Sequence, residues 1–118
     1  MPARKLVPVV PDPGRIRRIQ GSFAWIDHRI LRDGFLEKFF LEDMAVYLFL
    51  ILAANVQGCS WWRKDVMCKK LGIEWEDFEE SKARLLERGL IAFRPFSRGD
   101  ADGFYQILPL PPSAGGGR

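Results

Sequence analysis

The sequence predicts an α+β fold, mainly helical, and three stretches carry that prediction. Glu42 to Val56 is a helix-length run in which Met44 to Val56 contains only one polar side chain, Asn55. Arg63 to Arg88 holds two helical patterns on either side of Leu71-Gly72-Ile73. Ile91 to Leu108 reads as two short strands around a loop rich in glycine and aspartate. Helices that run into a closing hairpin make an α+β domain.

The bulk properties fit one domain. The chain has 118 residues, 47% hydrophobic content and a formal net charge of +3. That length suits a single core once the ends are set aside, and the hydrophobic content argues against disorder across the body. Residues 1–14 contain Pro2, Pro8, Pro11, Pro13 and Gly14 and are expected to form a poorly ordered arm. Residues 15–109 form the domain, and 110–118, with Pro111, Pro112 and Gly115-Gly116-Gly117, a disordered tail. Cys59 and Cys68 make no cysteine framework, so the chain reads as cytoplasmic. Leu6 to Val10 is too short for a signal peptide and Pro8 interrupts it.

After the arm comes Arg15-Ile16-Arg17-Arg18, and residues 1–32 hold seven Arg or Lys against Asp12 and Asp27. Ser22 to Ile26 reads as a short strand or extended segment, and Asp27 can cap a small helix from His28 to Arg32. Phe35, Leu36, Phe39 and Phe40 follow, too apolar to be left in water together. Residues 22–40 are therefore expected to form a flap packed on the core.

The first long helix, Glu42 to Val56, has acidic residues at its positive end and Gly58 past its last turn. Its stripe Ala45, Leu48, Phe49, Leu52 is expected to face the helix pair, and Tyr47, Leu50, Ile51, Ala54 the flap, a second subunit, or both. The apolar run is too short for a membrane span. Cys59 to Trp62 reads as a strand that pairs with the hairpin, with alternation turning one of Trp61 and Trp62 inward and the other outward. An outward Trp beside Arg63 and Lys64 can stack on a base or sugar, or pack under a loop.

The next helix spans Arg63 to Lys70. Gly72 then supplies a tight turn through positive φ. From Glu74 to Arg88 a third helix carries Trp75, Phe78, Ser81 and Leu85 on one face. Gly89 stops it. Ile91 to Phe96 and Phe104 to Leu108 are the hairpin strands, joined by Ser97 to Gly103.

These elements, in this order, resemble the winged-helix family. The residues that carry the resemblance are Leu71-Gly72-Ile73 before the third helix, Leu85, Gly89-Leu90-Ile91 at the start of the wing, and the hairpin. The likeness spans roughly residues 41–109. Residues 22–40 resemble the N-terminal extension of plasmid and primosomal replication-initiator winged-helix domains. Gly21-Ser22-Phe23-Ala24-Trp25-Ile26-Asp27-His28-Arg29 is similar to small proteins encoded beside transposases of bacterial mobile elements. The resemblance implies a winged helix-turn-helix with a three-helix core, a small antiparallel sheet and an N-terminal flap. It implies double-stranded DNA as partner, in regulation or replication of a bacterial element, with the Glu74–Arg88 helix in the major groove and the wing on the backbone or minor groove.

On that reading the recognition helix presents Trp75, Glu76, Glu79, Glu80, Ala83 and Arg84, and phosphates meet Arg15, Arg17, Arg18, Arg63, Lys64, Lys69, Lys70, Arg94 and Arg98. The charge of that helix departs from the family. Residues 74–88 hold Glu74, Glu76, Asp77, Glu79, Glu80 and Glu87 against Lys82, Arg84 and Arg88. Carboxylates repel phosphates. The sequence therefore keeps a second reading open, a winged helix used as a protein-interaction or dimerisation module, with a homodimer as one form.

Catalysis is not expected. His28 is the sole histidine and has no nucleophile in register. Cys59 and Cys68 lack the further ligands of a structural zinc site. Asp100-Ala101-Asp102-Gly103 matches the opening of a calcium loop, but Pro111 stands where the closing glutamate belongs. No cofactor or metal is expected.

Overall fold

The computed structural model describes residues 6–112, and these form an α+β, mainly helical structure. Its elements in order are α1 (Arg29–Arg32), α2 (Leu41–Ala53), β1 (Cys59–Ser60), α3 (Lys64–Leu71), α4 (Trp75–Glu87), β2 (Ile91–Pro95) and β3 (Gly103–Ile107). The strands make one antiparallel sheet in the order β1-β3-β2. Cys59 pairs with Gln106 and Ser60 with Tyr105 on one side of β3, and Ile91 to Pro95 pair with Ile107 to Gly103 on the other.

The turns form where the glycines allow. Gly72 takes φ +69° and its N–H, with that of Ile73, donates to the Cys68 carbonyl, ending α3. Gly89 takes φ +72° after α4, with Leu90 N–H bonded to the Leu85 carbonyl and Gly89 N–H to that of Leu86. That double closure turns the chain straight into β2. In the hairpin, a Cβ on Gly103 would stand 2.2 Å from the Arg94 carbonyl oxygen, so only glycine lets the two strands approach there.

The core gathers Val46, Tyr47, Leu50 and Ile51 from α2, Met67 and Cys68 from α3, Phe78 and Leu85 from α4, and Leu90, Ile91 and Tyr105 from the sheet side. Phe35 joins it from the N-terminal segment, with Ala24, Ile30 and Phe39 against its edge.

Several expectations need correction. One stripe of α2 meets the flap as expected, with the Phe39 ring 5.7 Å from that of Tyr47, but the stripe expected to face the helix pair is largely uncovered. Tyr47, Leu50 and Ile51 are the buried face, whereas Leu41, Leu48 and Leu52 are exposed, Leu52 to 66%. The sequence pattern could not separate them, because both stripes are apolar. The helix also ends at Ala53 rather than Val56. Asn55 Oδ1 accepts from the N–H groups of Gln57 and Cys59, at 2.9 and 3.0 Å, and this local turn competes with helical continuation. Of the two readings of Ser22 to Ile26, strand or extended segment, the strand does not form. The flap covers the core only in part, since Phe23, Trp25, Ile26 and Phe40 stay exposed. β1 stops at Ser60, and beyond it the two tryptophans take opposite sides as expected, Trp61 against Phe104 on the outer face and Trp62 toward the helices, both half-exposed. Trp62 sits edge-on to Phe49, 5.2 Å between centroids.

The arm expected over 1–14 and the tail over 110–118 fall partly outside the described residues. Residues 6–12 are exposed, and a single 3-10 turn, Pro13–Arg15, follows them.

Leu85→Ala is expected to lower the unfolding free energy by about 2–5 kcal/mol, whereas Leu52→Ala should change it by less than about 0.5 kcal/mol. Paired denaturant titrations read both. Equal losses would mean that α2 is rotated from this register.

Candidate nucleic-acid interface

Lys64 organises the surface between α3, α4 and the hairpin. Its backbone N–H, first in α3, donates to Asp102 Oδ1 at 2.7 Å, so the hairpin loop caps the helix. Its ammonium bonds Glu79 of α4 and lies 3.7 Å from the centre of the Trp75 ring. Only 2% of the residue is exposed. Beside it, the ammonium of Lys82 sits 3.3 Å over the Phe93 ring, and burial pushes its pKa down against the upward pull of Glu79 and Asp102. Burial likewise raises the Tyr105 phenol, whose oxygen finds no hydrogen-bond partner among the described residues.

This arrangement changes the roles expected of several residues. Lys64 is not a surface cation for phosphate; it is a buried charge held by Glu79. Glu79 is engaged with Lys64, and Trp75, expected in the apolar stripe, is half-exposed and roofs that ammonium. Arg84 is held too. Its guanidinium makes a forked contact with Asp43, Nε to Oδ1 at 2.9 Å and Nη2 to Oδ1 at 2.8 Å, and stacks over Phe40. Glu76, Glu80 and Ala83 remain exposed on α4.

Among the expected phosphate-binding residues, Arg63, Lys69 and Lys70 line one open concavity on α3 with Asp65 and Val66. Lys69 and Lys70 are exposed, while Arg63 is paired with Asp65 through two hydrogen bonds. Arg94 and Arg98 are exposed on the hairpin. Arg15, Arg17 and Arg18 are exposed outside that concavity, Arg15 in an ion pair with Asp12 at 2.6 Å.

The sheet sets Trp61 and Arg94, both singled out in the sequence, beside Phe96 and Phe104, which were not. Its inner face carries Ser60, Ile91, Phe93, Tyr105 and Ile107; its outer face carries Trp61, Arg94, Phe96, Phe104 and Gln106. Trp61 and Phe96 each meet Phe104 edge-on, at 6.2 and 5.0 Å between centroids. The signal for this was present in Phe104-Tyr105, two adjacent aromatics in a strand, which must point to opposite faces.

Comparison of the chain with protein-family models, with curated proteins and with solved structures finds no match. Among the described residues no helix is long and apolar enough to cross a membrane.

The Asp43–Arg84 pair sets an acid limit on the structure. Burial alone would raise the Asp43 carboxyl, but hydrogen bonds from Arg84, the Phe40 N–H and Ser81, with the Arg84 charge, outweigh it and hold the carboxyl below its ordinary 3.8. The folded value is lower than the unfolded one, so the stabilisation is present above the ordinary value and is lost as pH falls through the lowered one. Asp43→Asn should flatten the loss of stability in that acid window. Arg84→Ala, which strands a buried carboxylate, should cost about 3–5 kcal/mol at neutral pH. Thermal melts across pH test both; an Asp43→Asn protein with an unchanged acid profile would exclude the pair as its source.

Proposed function

We propose that this protein is a winged helix-turn-helix DNA-binding protein that grips the DNA backbone with α3 and the hairpin rather than with the exposed face of α4. The element order helix, strand, helix, helix, hairpin supports the winged-helix reading, as does the sheet order β1-β3-β2 with the tight turn at Gly72. A role in regulation or replication of a bacterial element rests on the sequence resemblance alone.

The observation that carries the DNA reading is the division of charge. Lys69, Lys70, Arg94 and Arg98 are exposed cations on α3 and the hairpin, free to meet phosphates. The exposed side of α4 offers Glu76, Glu80 and Glu87, and its one arginine within the helix, Arg84, is bound to Asp43. A phosphate backbone is attracted to the first surface and repelled by the second.

A second reading has its own observation. Leu41, Leu48 and Leu52 form an exposed apolar row along α2, the kind of surface that pairs copies or takes a protein partner. If it pairs copies, the wild type sediments as a dimer at micromolar concentration and Leu48→Asp as a monomer. A wild-type monomer would remove that reading.

For the DNA reading, gel shifts over a salt series are decisive. Lys69→Gln with Lys70→Gln should weaken binding to every duplex sequence and shallow the salt slope by roughly one unit for each phosphate no longer neutralised. Glu76→Gln with Glu80→Gln should strengthen non-specific binding; Glu79 is left in place because it holds Lys64. Absence of binding by the wild type at low salt would refute the reading.

A further inference from the structure

The outer face of the sheet has a composition that the winged-helix reading does not require. Three aromatic side chains stand there in a row, Trp61 55% exposed, Phe104 46% and Phe96 48%. The register explains the row. Arg94 is the cross-strand partner of Phe104, and continuing the β1–β3 pairing past Ser60 brings Trp61 opposite Phe104 on the other side. Phe96 extends β2 by one residue on the same face as Arg94. The sheet thus presents Trp61, Phe104 and Arg94 across its width, with Phe96 toward the hairpin tip.

Burial does not account for these rings. The inner face already supplies the core through Tyr105, Phe93 and Ile91, and the outer rings remain about half exposed. Charge on the row itself is positive, although Arg63 beside it is paired with Asp65. Arg94 lies within it, Arg63 follows Trp61 by two residues, and Arg98 follows Phe96 by two. None of the outer-face positions Cys59, Trp61, Ala92, Arg94, Phe96, Phe104 and Gln106 is acidic. The two carboxylates of the hairpin loop are committed elsewhere. Asp100 accepts from the Ser97 N–H and hydroxyl, and Asp102 from the first N–H of α3.

Exposed rings interleaved with arginine, without aliphatic side chains beyond Ala92, suit a ligand that has both flat π-faces and phosphate. Bases expose their faces only when unpaired and unstacked; inside a duplex, neighbours cover them. We propose that the outer face of the sheet is a stacking platform for unpaired bases, so that the DNA taken by this protein is single-stranded or locally opened. This rests on the DNA reading above and adds the strand state. Trp61, Phe104 and Phe96 stack on bases, while Arg94 and Arg98 hold the backbone that runs past them.

The test is a fluorescence-anisotropy titration of the full chain with three labelled probes of equal length: a thymidine oligonucleotide, an abasic strand of the same charge, and a duplex. The wild type is expected to bind the thymidine strand more tightly than either other probe. Phe104→Ala and Trp61→Ala should each weaken thymidine-strand binding by roughly tenfold, in line with the loss of one stacked base, and change duplex binding by less than about twofold. Phe104→Trp, which keeps a ring, should retain affinity. Thermal melts check that each variant is folded, and Phe96→Ala at the strand end serves where one is not. Two results overturn the platform while leaving the DNA reading intact. One is equal affinity for thymidine and abasic strands. The other is unchanged thymidine binding in the alanine variants beside normal duplex binding. No binding to any probe at low salt overturns both readings.

Discussion

The hairpin, α3 and α4 are tied to one another through a single buried residue, Lys64. Lys64 is attached at both ends, its backbone N–H to the hairpin loop and its side chain to α4. A charge so far removed from water is tolerable only with its carboxylate in place, so α3 and α4 cannot drift apart without leaving it uncompensated, and the hairpin cannot leave without uncapping the first N–H of α3. The exposed cations of α3 and the aromatic row of the sheet are therefore presented in a fixed mutual arrangement. The aromatic roof of Trp75 completes the enclosure and accounts for a tryptophan left half in water at the start of a helix.

The acidity of α4, which argues against a conventional role in groove recognition, has structural causes. Glu76 and Asp77 occupy the first turn, where the helix end is positive. Glu79 neutralises Lys64. At the other end of the helix Arg84 reaches back to Asp43, the residue that also receives the Phe40 N–H at the start of α2. Charge on α4 serves the packing of its neighbours, and the cations left over for a polyanion lie on other elements.

How much of this was legible in the sequence depended on whether a residue's partner was local. The two glycine-stopped helices and the hairpin were readable because their determinants lie within a few residues of each other. Gly72, Gly89 and Gly103 act through φ or the absence of a Cβ. The element boundaries drifted by one to three residues where a side chain such as Asn55 captured backbone groups. The facing of α2 was not readable, since apolar residues surround that helix and only the positions of α3, α4 and the N-terminal segment decide which stripe is covered. The same limit applied to the site. Lys64, Glu79 and Arg84 have the composition of surface charges, and their pairing comes from partners 15 to 41 residues away. The outward aromatic row needed the three-strand register, which the strands' short length left open.

The N-terminal segment is held by a longer reach still. Arg29 donates to the carbonyl oxygens of Leu110 and Pro111, at 3.1 and 3.2 Å, across 81 and 82 positions of chain. Trp25, Ile26, Tyr47 and Ile51 line a groove with residues 107–110 beside that clamp. During vectorial synthesis residues 22–40 emerge from the ribosome well before the residues that fasten them. Arg29 then has no acceptors until residues 110 and 111 have been made, which leaves this segment the natural place for a holding chaperone to act. The closing of the two ends on each other makes the final fastening of this segment wait for the last residues of the domain to be made.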